Sequence, residues 1–191
     1  ADEAKTVELI PVDAQGRVDV AALELMLDDD VAVVAVMWAN NEVGTVQPVA
    51  QIAQMCAARG VPFHTDAVQA LGQLDLDLEG IPSAALSAHK VGGPVGVGAL
   101  VLDRDLSVRP LVHGGGQERD VRSGTLDAAG IAGFAAALAA DKPDLAPLRD
   151  RLIDGVRRVV PDAVLNGDPV DRLPNNAHFS FPGCPGDALL M

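Results

Sequence analysis

The chain has 191 residues, of which 49% are hydrophobic and only 3% aromatic, so alanine and aliphatic side chains must fill its core. A formal net charge of −13 argues against non-specific binding to nucleic acid or to an anionic membrane, because both need a basic surface. The longest apolar run, 31–39, is too short to cross a bilayer, and no secretory signal pattern opens the chain.

Predicted strands and helices alternate in the first part of the sequence. In chain order these are strand 6–12, helix 20–30, strand 31–39, helix 49–59 and strand 62–66. The run 31–39 is continuously apolar and rich in β-branched residues, a pattern typical of a strand buried on both faces. This alternation favours an α/β fold with a mostly parallel sheet between helices.

The second part of the sequence predicts further elements and a domain boundary. They are strands 84–88 and 97–102, helices 127–141 and 144–160, and short strands 164–165 and 177–181. The stretch DKPDLAP at 141–147 predicts a boundary, with 1–141 in a large domain and 142–191 beginning a small α/β domain. The chain opens without Met and ends in GDALLM, the pattern of an uncapped first helical turn, so we expect an internal piece of a longer protein.

Polar residues follow three successive predicted strands at the points where those strands end. They are Asn40 and Asn41, then Asp66 and Gln69, then Ser87, His89 and Lys90. Parallel α/β sheets bind ligands beyond the carboxyl ends of their strands, so we expect these side chains to meet in one crevice.

This set of side chains suits pyridoxal phosphate. The cofactor needs a lysine that holds it covalently, an acid that keeps its ring nitrogen protonated, and donors for its phosphate. Lys90 is the candidate lysine, Asp66 the acid, Gln69 a contact of the phenolic oxygen, and Ser87 and His89 the phosphate donors. Taken singly, each has an ordinary alternative: an exposed lysine, a turn-forming aspartate, a hydrogen-bonded histidine. Their occurrence at successive strand ends favours the cofactor site.

Four ordered motifs and a C-terminal segment carry a family resemblance. They are ANNEVGTVQPV, FHTDAVQALGQL, SAHKVGGPVGVGAL and HGGGQERDVRSGT, followed by NAHFSFPGCPGDALLM. The sequence resembles the cysteine desulfurases of iron–sulfur cluster assembly, which belong to the class V, fold-type I pyridoxal-phosphate enzymes. The resemblance implies a large cofactor-binding domain, L-cysteine as substrate, a sulfur-acceptor or scaffold protein as partner, and a homodimer. Two distant cysteines add an expected cytoplasmic location.

The same resemblance implies a role for each matching residue. It implies that Lys90 binds the cofactor covalently, that Asp66 partners the ring nitrogen and that Gln69 contacts the phenolic oxygen. It places Asn41 near the ring oxygen and the substrate carboxylate, and Ser87 and His89 at the phosphate. Thr125 is implied to contact the phosphate in the partner subunit. Ala88 stands where many members have glycine, which is a small departure.

Parts of the family's catalytic apparatus have no match in this chain. The resemblance implies a nucleophilic cysteine on a later loop, and a ring-stacking histidine and a phosphate-binding turn in an earlier segment. Neither Cys56, on the apolar face of a predicted helix, nor Cys184 matches the nucleophile. We therefore expect the isolated piece to be inactive, and a non-catalytic dimerisation or docking role is an alternative. Selenocysteine lyase and class V aminotransferase activities are the enzymatic alternatives.

Two other patterns do not extend into complete sites. HGGG at 113–116 resembles an esterase oxyanion loop, but the nucleophile motif G-x-S-x-G is missing from the sequence. The four histidines and two cysteines show none of the spacings that predict a zinc site.

Overall fold

The computed structural model describes residues 6–189. Its helices are α1 (Val20–Met26), α2 (Val49–Ala58), α3 (Ala128–Ala139) and α4 (Ala146–Val159); its strands are β1 (Val34–Ala35), β2 (Phe63–Asp66), β3 (Ser83–Ser87), β4 (Gly98–Leu102), β5 (Val164–Leu165) and β6 (Phe179–Ser180). Short 3₁₀ turns span Ala88–Val91 and Gly186–Leu189. The helix expected to begin in GDALLM is thus represented by a 3₁₀ turn, and residues 190 and 191 lie outside the described range.

The main sheet has the order β1-β2-β3-β4. β1, β2 and β3 are mutually parallel, and β4 returns antiparallel to β3. A separate antiparallel pair joins β5 to β6. The predicted α/β class with a mostly parallel sheet is therefore confirmed.

Helix α2 covers one face of this sheet, as its sequence pattern predicts. Val49, Ile52, Ala53 and Cys56 recur at helical spacing and are all buried against the core. Gly60 follows the helix with φ of +66°, a conformation that glycine adopts without steric cost. The sequence thus specified both the helix and the side that packs inward.

The segment 31–39 corrects one expectation. Its burial alternates: Val34, Val36 and Trp38 lie on the covered face, whereas Val33 and Met37 are 55% and 44% exposed. Only Val34–Ala35 is regular strand, although Val36 N and Trp38 N still donate to β2 carbonyls. The prediction of burial on both faces was wrong. Helix α2 packs on one face of the segment, and no part of residues 6–189 covers Val33 and Met37 on the other face.

The predicted strand at 6–12 is also wrong. Val7 and Leu9 are 81% and 85% exposed, and only Val12 forms a β-bridge, with Val18. The apolar alternation suits a strand, but a strand also needs a neighbouring backbone to complete its hydrogen bonds. In residues 6–189, the main sheet places no strand beside this segment.

The later helices and strands follow the sequence prediction closely. Asp127 caps α3 by accepting from Gly130 N, and α4 has a proline in its first turn, both typical helix starts. Within residues 6–189, no helix has the length and apolar character needed to cross a membrane. The division into domains at residue 141 stays a prediction.

Candidate cofactor site at the sheet edge

The carboxyl ends of the parallel strands bring the predicted residues to one edge of the sheet. Asp66 ends β2 and pairs with Ala85 of β3, and Ser87 ends β3 two residues later. Residues two apart on a strand point to the same face, and neighbouring strands lie about 4.8 Å apart. Asp66 and Ser87 therefore project from the same face of the sheet, with Ser87 two residues beyond the position that lies directly beside Asp66.

Asp66 forms a turn and keeps an accessible carboxylate. Its Oδ1 accepts the N–H of Val68 at 2.9 Å, so the turn-forming role considered from the sequence is real. The residue is nevertheless exposed. Gln69 lies half-buried in the turn that follows, three residues further along.

Lys90 lies on the 3₁₀ turn directly after β3. The turn is closed by hydrogen bonds from Ala88 N to Val97 O and from Gly93 N to Ala88 O. Lys90 is exposed, and it forms no ion pair with the part of the chain that the structure describes. At the base of the turn, Ser87 Oγ lies 2.7 Å from His89 Nδ1. A hydroxyl and an imidazole are therefore in contact just before Lys90 in the chain.

The glycines after Lys90 serve the packing of the chain itself. A Cβ on Gly98 would lie 2.8 Å from the carbonyl oxygen of Leu86 on the paired strand. From the other side, α3 approaches the loop through Gly133, where a Cβ would meet Pro94 at 2.7 Å. These close approaches fix the Lys90 turn between β3 and α3.

Asn41 lies in the tight turn that follows the extension of β1. It is exposed, and the side chain of the preceding Asn40 anchors the turn by accepting from Glu42 N and Val43 N, both at 2.9 Å. The carbonyl of Asn41 accepts from Asn176, which is 135 positions away and is the first residue of the C-terminal segment NAHFSFPGCPGDALLM. Nothing in that segment indicates a contact with Asn41.

Thr125 lies in a separate exposed loop. Within the described residues, no hydrogen bond joins it to the strand ends that carry Asp66 and Ser87. Its loop contains three consecutive non-glycine residues with positive φ, Glu118, Arg119 and Asp120, at 51°, 56° and 64°. Left-handed backbone costs about 1 kcal/mol or more at each such residue, so this loop is strained.

The remaining candidate groups have ordinary structural roles. His64 Nδ1 lies 2.8 Å from Ser83 Oγ, as expected of a satisfied histidine. Cys56 is fully buried, and burial raises the pKa of its thiol, which keeps it protonated and unreactive. Cys184 is exposed. Residues 6–189 contain no cluster of three or more His, Cys, Asp or Glu side chains suited to a metal ion.

The groups at the sheet edge fit the chemistry of pyridoxal phosphate. The exposed carboxylate of Asp66 lies at the end of β2, and the Ser87–His89 pair and the exposed amine of Lys90 lie at the end of the adjacent β3 and on the turn that follows it. The residues present therefore fit the cofactor.

Comparison with known proteins agrees with this chemistry. The family model described as aminotransferase class-V matches residues 1–142. Pyridoxal phosphate is the cofactor of that family, so the predicted cofactor is confirmed at that level.

Individual relatives extend the comparison over nearly the whole chain. An IscS-like cysteine desulfurase of Mycobacterium tuberculosis is 50% identical over 202 residues, covering 99% of this chain and 51% of the relative. A solved structure titled "NIFS-LIKE PROTEIN" superposes with a TM-score of 0.86 at 37% identity, covering 95% of this chain and 52% of that one. The structure "SspA in complex with cysteine" has a TM-score of 0.80 at 30% identity, covering 92% and 50%. The chain spans about half the length of the relatives it matches.

Proposed function

The chain belongs to the class-V aminotransferase family, and from that premise we propose that the protein is a cysteine desulfurase. It would convert L-cysteine to L-alanine and pass the sulfur on for iron–sulfur cluster or other sulfur-containing cofactor synthesis. The observation that carries the proposal is the convergence of Asp66, Ser87 and the Lys90 turn at one sheet edge. The names of the relatives, and a structural neighbour described as bound to cysteine, support the choice of substrate.

Each residue at the sheet edge has a distinct task in this proposal. Bound pyridoxal phosphate supplies an electron sink for the substrate's α-carbon. Lys90 would hold the cofactor, and its amine, when free, would move a proton at that carbon. Asp66 keeps a proton on the ring nitrogen, and Gln69 contacts the phenolic oxygen. Ser87 and His89 donate to the phosphate, and Asn41 orients the substrate carboxylate.

The sulfur transfer itself requires a thiol that these residues do not provide. The substrate's Cβ–S bond breaks and a bond forms between that sulfur and an enzyme cysteine sulfur. Cysteine and an enzyme thiol thus become alanine and an enzyme persulfide, with no external oxidant. Cys56 is buried, and Cys184 matches no catalytic position, so we assign the nucleophile to a segment outside these 191 residues.

Assembly and location complete the proposal. We propose a homodimer in which Thr125 reaches the partner's phosphate, and its exposed position is compatible with that role. A sulfur-acceptor or scaffold protein would take the sulfur. A reducing cytoplasm suits the two free cysteines.

The function is tested on the full-length protein. With pyridoxal phosphate and L-cysteine we expect alanine and, in the presence of a reductant, sulfide in equal amounts. Borohydride reduction followed by peptide mapping should place the cofactor on Lys90, and Lys90→Ala should abolish the label. A label on Lys5 or Lys142 would remove Lys90 from its role. Absence of cofactor-dependent alanine formation would disprove the desulfurase assignment.

The isolated 191-residue chain provides a second test. We expect it to release no sulfide from cysteine with or without pyridoxal phosphate, and to self-associate through its exposed apolar side chains. Sulfide release and light scattering measure the two properties. Cofactor-dependent release by a monomer would contradict both expectations and return Cys184 to consideration.

A further inference from the structure

We propose that Asn176 is a positioning residue for Asn41, acting through the backbone of the turn that carries it. The proposal rests on the function proposed above, in which Asn41 orients the substrate carboxylate. Asn176 belongs to a segment, residues 166–176, that we call the clasp. The clasp lies beyond the part of the chain that the family model matches.

Asn176 holds the Asn41 turn directly. Its Nδ2 donates to the carbonyl of Asn41 at 3.3 Å and to that of Glu42 at 2.8 Å. The fit is close, because a Cβ on Gly44, whose φ is +82°, would lie 2.6 Å from Asn176 Oδ1. Asn40 anchors the amides of the same turn, so the Asn41 peptide is fixed on both sides.

Arg172 sets the direction in which the Asn176 amide points. It is only 4% exposed, and its Nη2 donates to Asn176 Oδ1 at 3.3 Å while its Nε donates to Asn176 O at 3.2 Å. With Oδ1 turned toward the guanidinium, Nδ2 must face the Asn41 turn. Nη2 also donates to Val43 O, which ties the arginine to the same loop.

Further backbone bonds fix the clasp against this loop. Val46 N donates to Asp171 O and Leu173 N to Gly44 O, both at 2.8 Å, on either side of a bridge between Thr45 and Arg172. The side chain of Asn41 stays exposed. Asn176 can therefore influence where Asn41 meets a ligand without touching that ligand.

The sharpest variant is Asn176→Asp in the full-length protein. Aspartate keeps the side-chain shape and the acceptor for Arg172 but replaces both donated hydrogen bonds with repulsion from two carbonyls. Asn175→Asp is the matched control, since Asn175 is adjacent and exposed and the charge change is the same. Two lost hydrogen bonds lead us to expect a KM for L-cysteine raised about tenfold, with kcat changed about threefold or less.

A second readout does not depend on activity. Hydrogen–deuterium exchange of the amides in residues 41–44 should accelerate in Asn176→Asp and stay at the wild-type rate in Asn175→Asp. An unchanged KM, or a KM raised equally by the control, overturns the proposal. If the wild-type protein forms no alanine from cysteine, the proposed function has failed; unchanged exchange in Asn176→Asp would then overturn the positioning role separately.

Discussion

Two groups of polar side chains in this molecule differ in how their hydrogen bonds are satisfied. In the clasp and its loop, Thr45 and Arg172 are buried, and backbone carbonyls accept from both. At the sheet edge, Asp66 and Lys90 are exposed and have few partners among the described residues. The first group holds two distant parts of the chain together, whereas the second leaves its binding capacity free for a ligand. The comparison predicts that Thr45 and Arg172 matter chiefly for stability, and Asp66 and Lys90 chiefly for activity.

The largest effect on stability is expected at Arg172. Arg172→Leu removes donors from five carbonyl groups on half-buried residues, four of them backbone carbonyls and one the side-chain oxygen of Asn176, and should lower the free energy of unfolding by about 3–5 kcal/mol. Urea unfolding of the two proteins measures the difference. Arg158→Leu, at an exposed position on α4, is the control and should change it by about 0.5 kcal/mol or less. Equal effects of the two substitutions would break the comparison.

Two buried threonines should respond in opposite ways to removal of the hydroxyl. Thr45 Oγ1 donates to Gln15 O at 2.6 Å and accepts from Asp168 N at 3.0 Å, so Thr45→Val should cost about 1–3 kcal/mol. Thr65 is equally buried, but its hydroxyl has no hydrogen-bond partner among residues 6–189. Thr65→Val should therefore leave stability unchanged or raise it by about 1 kcal/mol. Urea unfolding measures both variants against the wild-type protein. An equal drop of the urea midpoint in the two variants would contradict the assignment.

Asp168 should make the clasp sensitive to acid. Backbone hydrogen bonds, first from Val170 and then from Asp171, together with Arg17 and Arg172, hold the pKa of this carboxyl below its usual value against the opposing effect of desolvation. A lowered folded-state pKa stabilises the protein above the unfolded-state pKa, and this stabilisation disappears as pH falls through the folded-state value. Stability should therefore decline below about pH 4, and less steeply in Asp168→Asn. Thermal unfolding between pH 3 and pH 7 tests this, and identical slopes would exclude the carboxyl as a cause.

The smallest effect on stability and a large effect on activity are expected at Asp66. Asp66→Asn keeps the acceptor for Val68 N, so the free energy of unfolding should change by about 0.5 kcal/mol or less. An amide cannot hold the proton on the cofactor's ring nitrogen, so turnover in the full-length protein should fall by about 10²-fold. Near-normal turnover in this variant would place Asp66 among ordinary turn formers.

Local patterns were sufficient for much of the fold. The apolar spacing of 49–59 gave α2 and its buried face, and the caps of α3 and α4 lie close to the predicted ends. The strands after residue 60 were predictable because their apolar runs are short and bounded by turn residues. The same strand ends also supplied the candidate site residues, since parallel strands deliver their carboxyl ends to one edge.

Two strands were mispredicted because strand structure depends on neighbours. The pattern of 6–12 suits a strand, but pairing is a property of a second backbone, which local sequence does not reveal. Similarly, the apolar run 31–39 allows burial on both faces, whereas the structure covers only the face that contains Trp38. An apolar run describes what a segment can bury, and its packing partners decide how much of it is buried.

The sequence by itself determined the order of the elements from α1 onward, the face of α2 that packs inward, and the identity of the groups at the sheet edge, because these depend on spacing within a few residues. Only the tertiary structure decided that Asn176 and Arg172 hold the turn of Asn41. Those contacts join backbone carbonyls to side chains about 130 positions away, and a carbonyl has the same chemistry at every residue. A partner chosen by three-dimensional proximity alone leaves no local pattern in the sequence.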